Sequence, residues 1–309
     1  MPSADPPRMR WPVALTYALL RLAGLLPLRT LHALGAVAGD LLWRARGRER
    51  RVTEANLAIA RPELDAAARA ALARACLRET GRGVAELGKV WGGGARRALR
   101  LVREVRGQAL FDAALLRRQG LIVAAPHLGC WELLNHWIGA RTPLAILYRP
   151  PHSPDWESLL RRARGSFAPE QVRAEGSGMR SLYRRLAAGG VVGILPDQQP
   201  RAGDGVFAPF FGRPAATMVL LPRLAQRTGA TVLFGFMERL PRGAGFRLHW
   251  RAAPPEIAAA DPGVACVALN AAVEDCVRSA FEQYQWTYKR WSLRARPQDA
   301  DPYAPTHPR

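Results

Sequence analysis

The chain has 309 residues, of which 49% are hydrophobic, so it can bury the core of one large domain or of two small ones. Its formal net charge of +20 favours an acidic partner, which can be nucleic acid, anionic lipid or an acidic protein. The four cysteines include no C-x-x-C pair and are too few for a disulfide-rich chain of this length, which predicts reduced, mostly buried thiols.

Residues 1–45 are predicted to form a membrane anchor followed by a basic juxtamembrane cluster. Residues 11–28 are apolar apart from Thr16, Tyr17 and Arg21, and the apolar character continues through residues 31–43 with a few polar interruptions. The anchor either spans the bilayer or lies at its interface, and an ordinary buried helix pair is the alternative. A run of arginines follows, which would place this side in the cytoplasm and can hold anionic headgroups, unless it is simply solvated: Arg44, Arg46, Arg48, Arg50 and Arg51.

Residues 46–296 alternate between helical and strand patterns, which predicts one α/β domain built as an αβα sandwich around a mixed, largely parallel sheet. Short apolar runs predict strands at residues 102–105, 121–125, 144–147, 191–195, 231–237 and 246–252. Helical spacing predicts helices at residues 65–90, 108–118, 155–164, 177–188, 215–228 and 262–284, and another that starts near Trp131. Residues 203–214 are predicted as an aromatic loop, and the polar, proline-rich residues 297–309 as a disordered tail.

The most informative segment runs through His127, where a buried strand is followed by a turn and a helix. Glu132 follows one turn into that helix. Residues five apart on a continuous helix point roughly 140° apart, so the two side chains can meet only if His127 lies on a turn, which Pro126 and Gly129 favour. A histidine oriented by a carboxylate is a general base for a hydroxyl. The alternatives are a loop histidine beside a solvated Glu132, and Cys130 acting as a nucleophile.

Two further predicted strands end in loops with polar residues. Arg149 follows the strand at residues 144–147, and Asp197 follows the strand at residues 191–195. If these strands are parallel neighbours of the strand before His127, the three loops lie on one edge of the sheet, where open α/β sheets place their sites. Taken singly, Arg149 can form a surface ion pair and Asp197 can cap a turn.

The segment from His127 to Glu132 resembles the His-x-x-x-x-(Asp/Glu) motif of glycerolipid-type acyltransferases. It is most similar to the late acyltransferases of lipid A biosynthesis, the lauroyl and myristoyl transferases. Further blocks extend the resemblance over nearly the whole chain: residues 51–64, Tyr-Arg-Pro at 148–150, Pro-Asp-Gln at 196–198 and the closing segment 282–291. Tyr288 and Trp291 stand where many relatives carry His and Phe, which leaves the subfamily open.

By this resemblance the chain is an O-acyltransferase that moves a fatty acyl chain directly from an acyl thioester to a hydroxyl of a lipid A precursor. No cofactor and no metal are expected. His127 would be the general base and Glu132 would fix its tautomer, while the N–H groups of residues 128–131 hold the oxyanion. The resemblance implies that four residues shape the acceptor site, where guanidinium groups suit phosphate: Arg149, Arg164, Asp197 and Gln198.

The expected donor is an acyl carrier protein, because a chain with a net charge of +20 attracts a small acidic protein, and acyl-coenzyme A remains open. A monomer on the cytoplasmic face of a bacterial inner membrane is expected. Three alternatives remain: an acyltransferase for a lyso-phospholipid, an amino lipid or another glycolipid; a catalytically silent membrane-surface protein; and a basic nucleic-acid-binding protein. The last carries no helix-turn-helix, RNA-recognition or zinc-finger signature, and its arginines are spread over the chain.

Overall fold

A computed structural model describes residues 11–148, 157, 159, 167, 169–173 and 177–304. The centre of the fold is a seven-stranded sheet with the order β1-β9-β8-β2-β5-β3-β4. Neighbouring strands are parallel except for β8 and β9, which are antiparallel. The strands of this sheet are β1 Val102–Arg106, β2 Leu121–Ala124, β3 Leu144–Tyr148, β4 Glu170–Arg173, β5 Val191–Ile194, β8 Thr231–Arg239 and β9 Phe246–Ala252.

Helices cover both faces of the sheet, as a largely parallel sheet requires. The side chains of β2 alternate between two cores: Leu121 and Val123 point into one, and Ile122 and Ala124 into the other. The helices are α1 Trp11–Ala23, α2 Leu28–Ala45, α3 Arg48–Ala60, α4 Ala66–Leu87, α5 Ala95–Leu99, α6 Gln108–Arg117, α7 Trp131–Gly139, α8 Ser177–Ala187, α9 Leu220–Thr228 and α10 Pro262–Ser279. The predicted α/β fold with a mixed, mostly parallel sheet is confirmed.

The aromatic segment after residue 203 differs from the prediction. Its residues form an antiparallel hairpin of β6 Gly205–Phe210 and β7 Arg213–Met218, where a loop and the start of a helix were predicted. In β6 the side chains alternate, with Ala208 and Phe210 buried and Phe207 exposed, which is the strand period. The following helix α9 therefore begins only at Leu220.

Three smaller differences from the prediction concern an edge strand, the end of a helix and the C-terminal tail. Strand β4 lies at the edge of the sheet and was not predicted. The helix predicted over residues 262–284 ends at Ser279, and a short 3-10 helix, Phe281–Gln283, follows it. Tyr303 hydrogen-bonds to Asn56 Oδ1 at 2.6 Å, so the predicted disorder of the tail does not extend to this residue. The helix predicted over residues 155–164 lies mostly outside the described residues.

The N-terminal segment forms the helices α1 and α2. Both pack by close backbone contact against α4 and the turn that continues it. A Cβ atom on Gly81 of α4 would lie 2.0 Å from Gly35 O of α2, so both positions need glycine. Helix α1 packs in the same way on a π-helical turn, Gly88–Gly92, that continues α4. Among the described residues, no helix combines the length and the apolar character that crossing a bilayer requires.

Candidate active site

The turn after β2 is fixed from two sides. Gly129 has a φ of 62°, and a Cβ atom there would lie 2.0 Å from Met237 O, so only glycine fits. The Gly129 N–H donates to Gln283 O at 3.1 Å, and the Cys130 N–H donates to Met237 O at 2.9 Å. This turn therefore gives His127 a defined position between the end of β2 and the start of α7.

His127 is paired with Asp197, which follows β5 in the loop next to it. His127 Nδ1 lies 2.8 Å from Asp197 Oδ1, and the His127 backbone N–H donates to Asp197 Oδ2 at 2.9 Å. One carboxylate thus holds both the ring and the backbone of His127. The Asp197 side chain is only 2% exposed, while that of His127 is 11% exposed and lines a cleft.

The pairing fixes the tautomer of the imidazole. An ionised carboxylate can only accept, so Nδ1 carries the hydrogen and Nε2 presents its lone pair. The Gln198 side-chain N–H donates to this lone pair, with Gln198 Nε2 3.2 Å from His127 Nε2. The ring also packs edge-on against Trp131, with 5.3 Å between the ring centroids. The ring therefore presents Nε2, with Gln198 as its hydrogen-bond partner, toward the cleft.

Asp197 stays ionised although it is buried. Burial by itself would raise the pKa of this carboxyl, but the His127 ring and the His127 backbone N–H outweigh it and hold the pKa below its ordinary value. Because the folded pKa is depressed, the ionised Asp197 stabilises the fold above its ordinary pKa range, and this stabilisation is lost as the pH falls through the folded pKa. At neutral pH Asp197 is therefore an anion that can stabilise an imidazolium.

Glu132 does not have the position that the sequence prediction gave it. Both ring nitrogens of His127 have partners other than Glu132: Asp197 at Nδ1 and Gln198 at Nε2. Glu132 is buried in the first turn of α7, where the Trp91 Nε1–H donates to its Oε2 at 3.3 Å. Asp197, which was predicted to shape the acceptor site, makes the contact with His127 that was predicted for Glu132, because β2 and β5 are adjacent.

Most of the N–H groups predicted to hold the oxyanion have acceptors within the protein. Of the N–H groups at residues 128–131, that of Leu128 donates to Pro126 O, and those of Gly129 and Cys130 donate to Gln283 and Met237. These three groups are already bound within the turn. The side-chain amide of Gln198 beside His127 Nε2 is a donor at the place where the reaction would occur.

The sheet brings the predicted loops to one edge. Strand β5 pairs in parallel with both β2 and β3, so the ends of these strands lie side by side, as predicted. His127 and Asp197 meet there. Arg149 and Arg164, the other predicted acceptor residues, lie outside the described residues.

A cleft of about 930 Å³ extends from His127 over one face of the sheet. Its walls come from the ends of β3 and β5, from α8 and from α9. Apolar side chains form much of its lining, and they include Ile146, Leu147, Met179, Met218 and Leu220. Basic side chains also line it: Arg173, Arg201, Arg223 and Arg227. The cleft can hold an apolar chain and an anionic group next to the same histidine.

The C-terminal segment supports the site in ways that the sequence analysis did not identify. The Gln285 N–H donates to His127 O at 3.0 Å, and the Gln199 N–H donates to the Tyr288 hydroxyl at 3.0 Å. Burial and the nearby Asp197 carboxylate raise the pKa of Tyr284 well above its usual value. Only the resemblance of residues 282–291 to a closing block hinted at this role.

Cys130, the alternative nucleophile, is buried beside the turn. Burial, followed by the nearby Glu86 carboxylate, raises the pKa of this thiol well above its usual value, so it stays protonated at neutral pH. We expect Cys130→Ala to retain kcat within ~5-fold, because a protonated thiol is a poor nucleophile. Steady-state kinetics would check this, and an acylated Cys130 trapped and detected by mass spectrometry would contradict it.

Comparison with known proteins finds a matching family profile and several acyltransferases of similar sequence. The profile of the family described as bacterial lipid A biosynthesis acyltransferase matches residues 5–292. The chain is 27% identical over 289 residues to the lipid A biosynthesis lauroyltransferase of Escherichia coli (strain K12), covering 92% of each chain. It is 26% identical over 272 residues to the palmitoleoyltransferase of the same strain, covering 87% of each chain. It is 30% identical over 162 residues to a phosphatidylinositol mannoside acyltransferase of Mycobacterium tuberculosis (strain CDC 1551 / Oshkosh), covering 49% of each chain.

Proposed function

The chain belongs to the bacterial lipid A biosynthesis acyltransferase family and is an acyltransferase, and we propose that it moves a fatty acyl chain from an acyl thioester to a hydroxyl of a lipid A precursor. The observation that carries this proposal is the His127–Asp197 pair, whose Nε2 lone pair faces a cleft with both apolar and basic walls. A hydroxyl acceptor needs such a base, a fatty chain needs apolar walls, and a phosphorylated lipid needs cations.

In the proposed reaction His127 Nε2 takes the proton of the acceptor hydroxyl as its oxygen attacks the thioester carbonyl. The buried Asp197 carboxylate at 2.8 Å stabilises the imidazolium that forms. The Gln198 amide, displaced from Nε2 by the hydroxyl, donates to the oxyanion. When the tetrahedral intermediate collapses, the C–S bond breaks, the ester forms, and the imidazolium returns its proton to the leaving thiolate. Arg149 and Arg164 are proposed to hold the acceptor phosphates, on the resemblance alone.

The decisive experiment compares the lipid A of cells with and without the gene by mass spectrometry. We expect the deletion strain to accumulate lipid A that lacks one acyl chain, and the wild-type gene to restore that chain. The His127→Ala gene serves as the control and is expected to restore nothing. Lipid A with its full set of acyl chains in the deletion strain would contradict the proposed acceptor.

A second acceptor class is a phosphorylated glycolipid other than a lipid A precursor. It is favoured by the similarity, over about half of each chain, to a phosphatidylinositol mannoside acyltransferase. Purified enzyme given one acyl donor with a lipid A precursor or a phosphatidylinositol mannoside would distinguish the two. The higher kcat/KM identifies the acceptor.

We further propose that α1 and α2 bind at a membrane interface. Helix α1 exposes a row of apolar side chains at helical spacing, with Trp11 77%, Leu15 52% and Leu19 57% exposed. Helix α2 does the same with Leu34 and Val37. Buried in a bilayer interface, each such side chain contributes up to ~1.5–3 kcal/mol. With the arginines that follow α2, this face suits the cytoplasmic leaflet of an inner membrane.

Charges introduced on this face should release the protein from membranes. We expect Leu15→Asp/Leu19→Asp to weaken sedimentation with phospholipid vesicles by at least ~10-fold, because two apolar contacts are lost and two anions are added. Leu110→Asp/Leu116→Asp is the matched control, since both leucines are exposed on α6. Equal sedimentation of the two double variants would contradict the proposal.

The proposed donor is an acyl carrier protein, which is small and acidic and would be attracted by the net charge of +20. We expect the KM for the acyl carrier protein to rise steeply with salt, since exposed charges are screened beyond ~8 Å at physiological ionic strength. Acyl-coenzyme A with the same acyl chain is the control. A salt-independent KM together with equal turnover of the coenzyme A donor would contradict a protein donor.

A further inference from the structure

A second cavity, of about 910 Å³, lies apart from the catalytic cleft, between α2, α4 and the turn that joins β8 to β9. It is strongly basic. Two carboxylates line it, those of Asp40 and Glu79. Five arginines line it as well: Arg29, Arg78, Arg82, Arg239 and Arg242.

The carboxylates of this cavity are already used by neighbouring arginines. Arg78 Nη1 lies 2.7 Å from Asp40 Oδ2. Glu79 contacts the guanidinium groups of both Arg82 and Arg239. The two acidic groups therefore stabilise Arg78, Arg82 and Arg239 in the cavity wall. They leave Arg29 and Arg242 without a counter-ion among the described residues.

Two cationic groups remain available to a ligand. Arg29 and Arg242 form no ion pair and no side-chain hydrogen bond with any residue that the structure describes. Arg82 is not a third such group, because its guanidinium pairs with Glu79 and its Nε is buried. Arg29 also packs on the β8–β9 turn, because a Cβ atom on Gly243 would lie 2.6 Å from Arg29 Cγ. This contact brings Arg29 next to Arg242 at one side of the cavity.

The cavity opens beside the apolar face of α2. Val37, which is 57% exposed and belongs to the proposed membrane face, is also part of the cavity lining. At the other side the lining includes Gln283, whose backbone carbonyl accepts the Gly129 N–H of the catalytic turn. A lipid lying against α2 could place its headgroup in the cavity while its chains stay in the bilayer.

We propose that this cavity binds the phosphate headgroup of an anionic membrane phospholipid. Guanidinium groups match phosphate oxygens in a two-pronged geometry, and Arg29 and Arg242 have the unused donors for it. The headgroup would fix the rotation of α2 on the membrane surface and so the direction in which the catalytic edge of the sheet faces. The inference rests on the proposed membrane binding of α1 and α2, and it does not depend on the identity of the acyl acceptor.

The test measures binding of the full chain to vesicles of equal parts phosphatidylcholine and phosphatidylglycerol, and to vesicles of phosphatidylcholine alone. We expect Arg29→Gln/Arg242→Gln to weaken binding to the anionic vesicles by about 10- to 30-fold, with little change on the neutral vesicles. Arg44→Gln/Arg46→Gln is the matched control. It removes the same charge from residues beside the same face that are exposed, as Arg29 and Arg242 are, and Arg46 and Arg242 both have a positive φ.

The salt dependence of binding and a titration with a short-chain lipid distinguish a specific headgroup site from diffuse electrostatic attraction. The difference between the two double variants should persist at high salt, because a phosphate bound between two guanidinium groups shields the pair from solvent and such pairs are screened less. Calorimetric titration with dihexanoyl phosphatidylglycerol below its micelle concentration should show one site in the wild type and in Arg44→Gln/Arg46→Gln, and none in Arg29→Gln/Arg242→Gln.

Equal losses in both double variants, or no saturable binding of the short-chain lipid to the wild type, would overturn the proposal. Unchanged vesicle binding together with a raised KM for a phosphorylated acceptor in neutral detergent micelles would assign the cavity to the acceptor and also overturn it. These assays involve no acyl transfer except the last one. A failed transfer assay with the wild type would instead count against the proposed function.

Discussion

Replacing His127 with alanine is expected to lower kcat by at least ~10²-fold, the usual contribution of a positioned general base. The physical reason is that Nε2 holds the only lone pair of the ring that faces the cleft, since Nδ1 carries the hydrogen bonded to Asp197. Without this lone pair, the acceptor hydroxyl would have to attack the thioester while the hydroxyl keeps its proton. Kinetics at saturating donor and acceptor measure this loss directly.

A second histidine of the chain provides a matched control. His249 Nε2 lies 2.7 Å from Glu238 Oε2, and its side chain is 11% exposed, as is that of His127. It lies on β9 and does not line the cleft. His249→Ala therefore removes an equivalent histidine–carboxylate pair and should leave kcat nearly unchanged. Near-normal turnover by His127→Ala, or an equal loss in both variants, would contradict the assigned base.

Much of the catalytic edge could be predicted because its strands are continuous apolar runs. Strands β2 and β5 are buried on both faces, so their residues are almost all apolar, and the loops that follow them carry the polar side chains. The rule that parallel strands end at one edge then brings His127 and Asp197 together. The sequence alone thus predicted that His127 and Asp197 lie at the same edge of the sheet, and the two side chains meet there.

Which of the two carboxylates contacts His127 could not be predicted in the same way. The short spacing between His127 and Glu132 drew attention to that pair, whereas Asp197 is 70 residues from its histidine along the chain. The contact depends on the order of strands in the sheet, and local spacing carries no information about it. The direct adjacency of β2 and β5 is what makes Asp197 the partner.

The hairpin of β6 and β7 was not predicted for a different reason. Its residues are rich in phenylalanine, proline and glycine, a composition typical of loops. The hairpin forms because Phe210 and Ala215 enter the core and because Gly212 supplies a left-handed backbone at the turn, with a φ of 73°. The strand period was present in the sequence but spanned too few residues to outweigh the composition.

Asp197→Asn is the second variant with a large expected effect. The change keeps the shape of the side chain but removes the charge and adds an N–H group. An asparagine that accepts the His127 backbone N–H at one atom would present its amide N–H to Nδ1, which would reverse the tautomer. Nε2 would then carry the hydrogen and could not act as a base. We expect kcat to fall by about 10²- to 10⁴-fold, the scale known for the loss of an orienting aspartate.

Glu132→Gln, which makes the same chemical change at the carboxylate of the His-x-x-x-x-Glu motif, is the control for this experiment. Because Asp197 and Gln198 occupy the two ring nitrogens of His127, we expect Glu132→Gln to lower kcat by much less than Asp197→Asn does. KM for the acceptor should change little in Asp197→Asn, since the carboxylate is buried behind the imidazole and acts on the transition state through it. A larger kcat loss in Glu132→Gln than in Asp197→Asn would return the orienting role to Glu132. A loss in Asp197→Asn seen only in KM would make Asp197 an acceptor-binding residue.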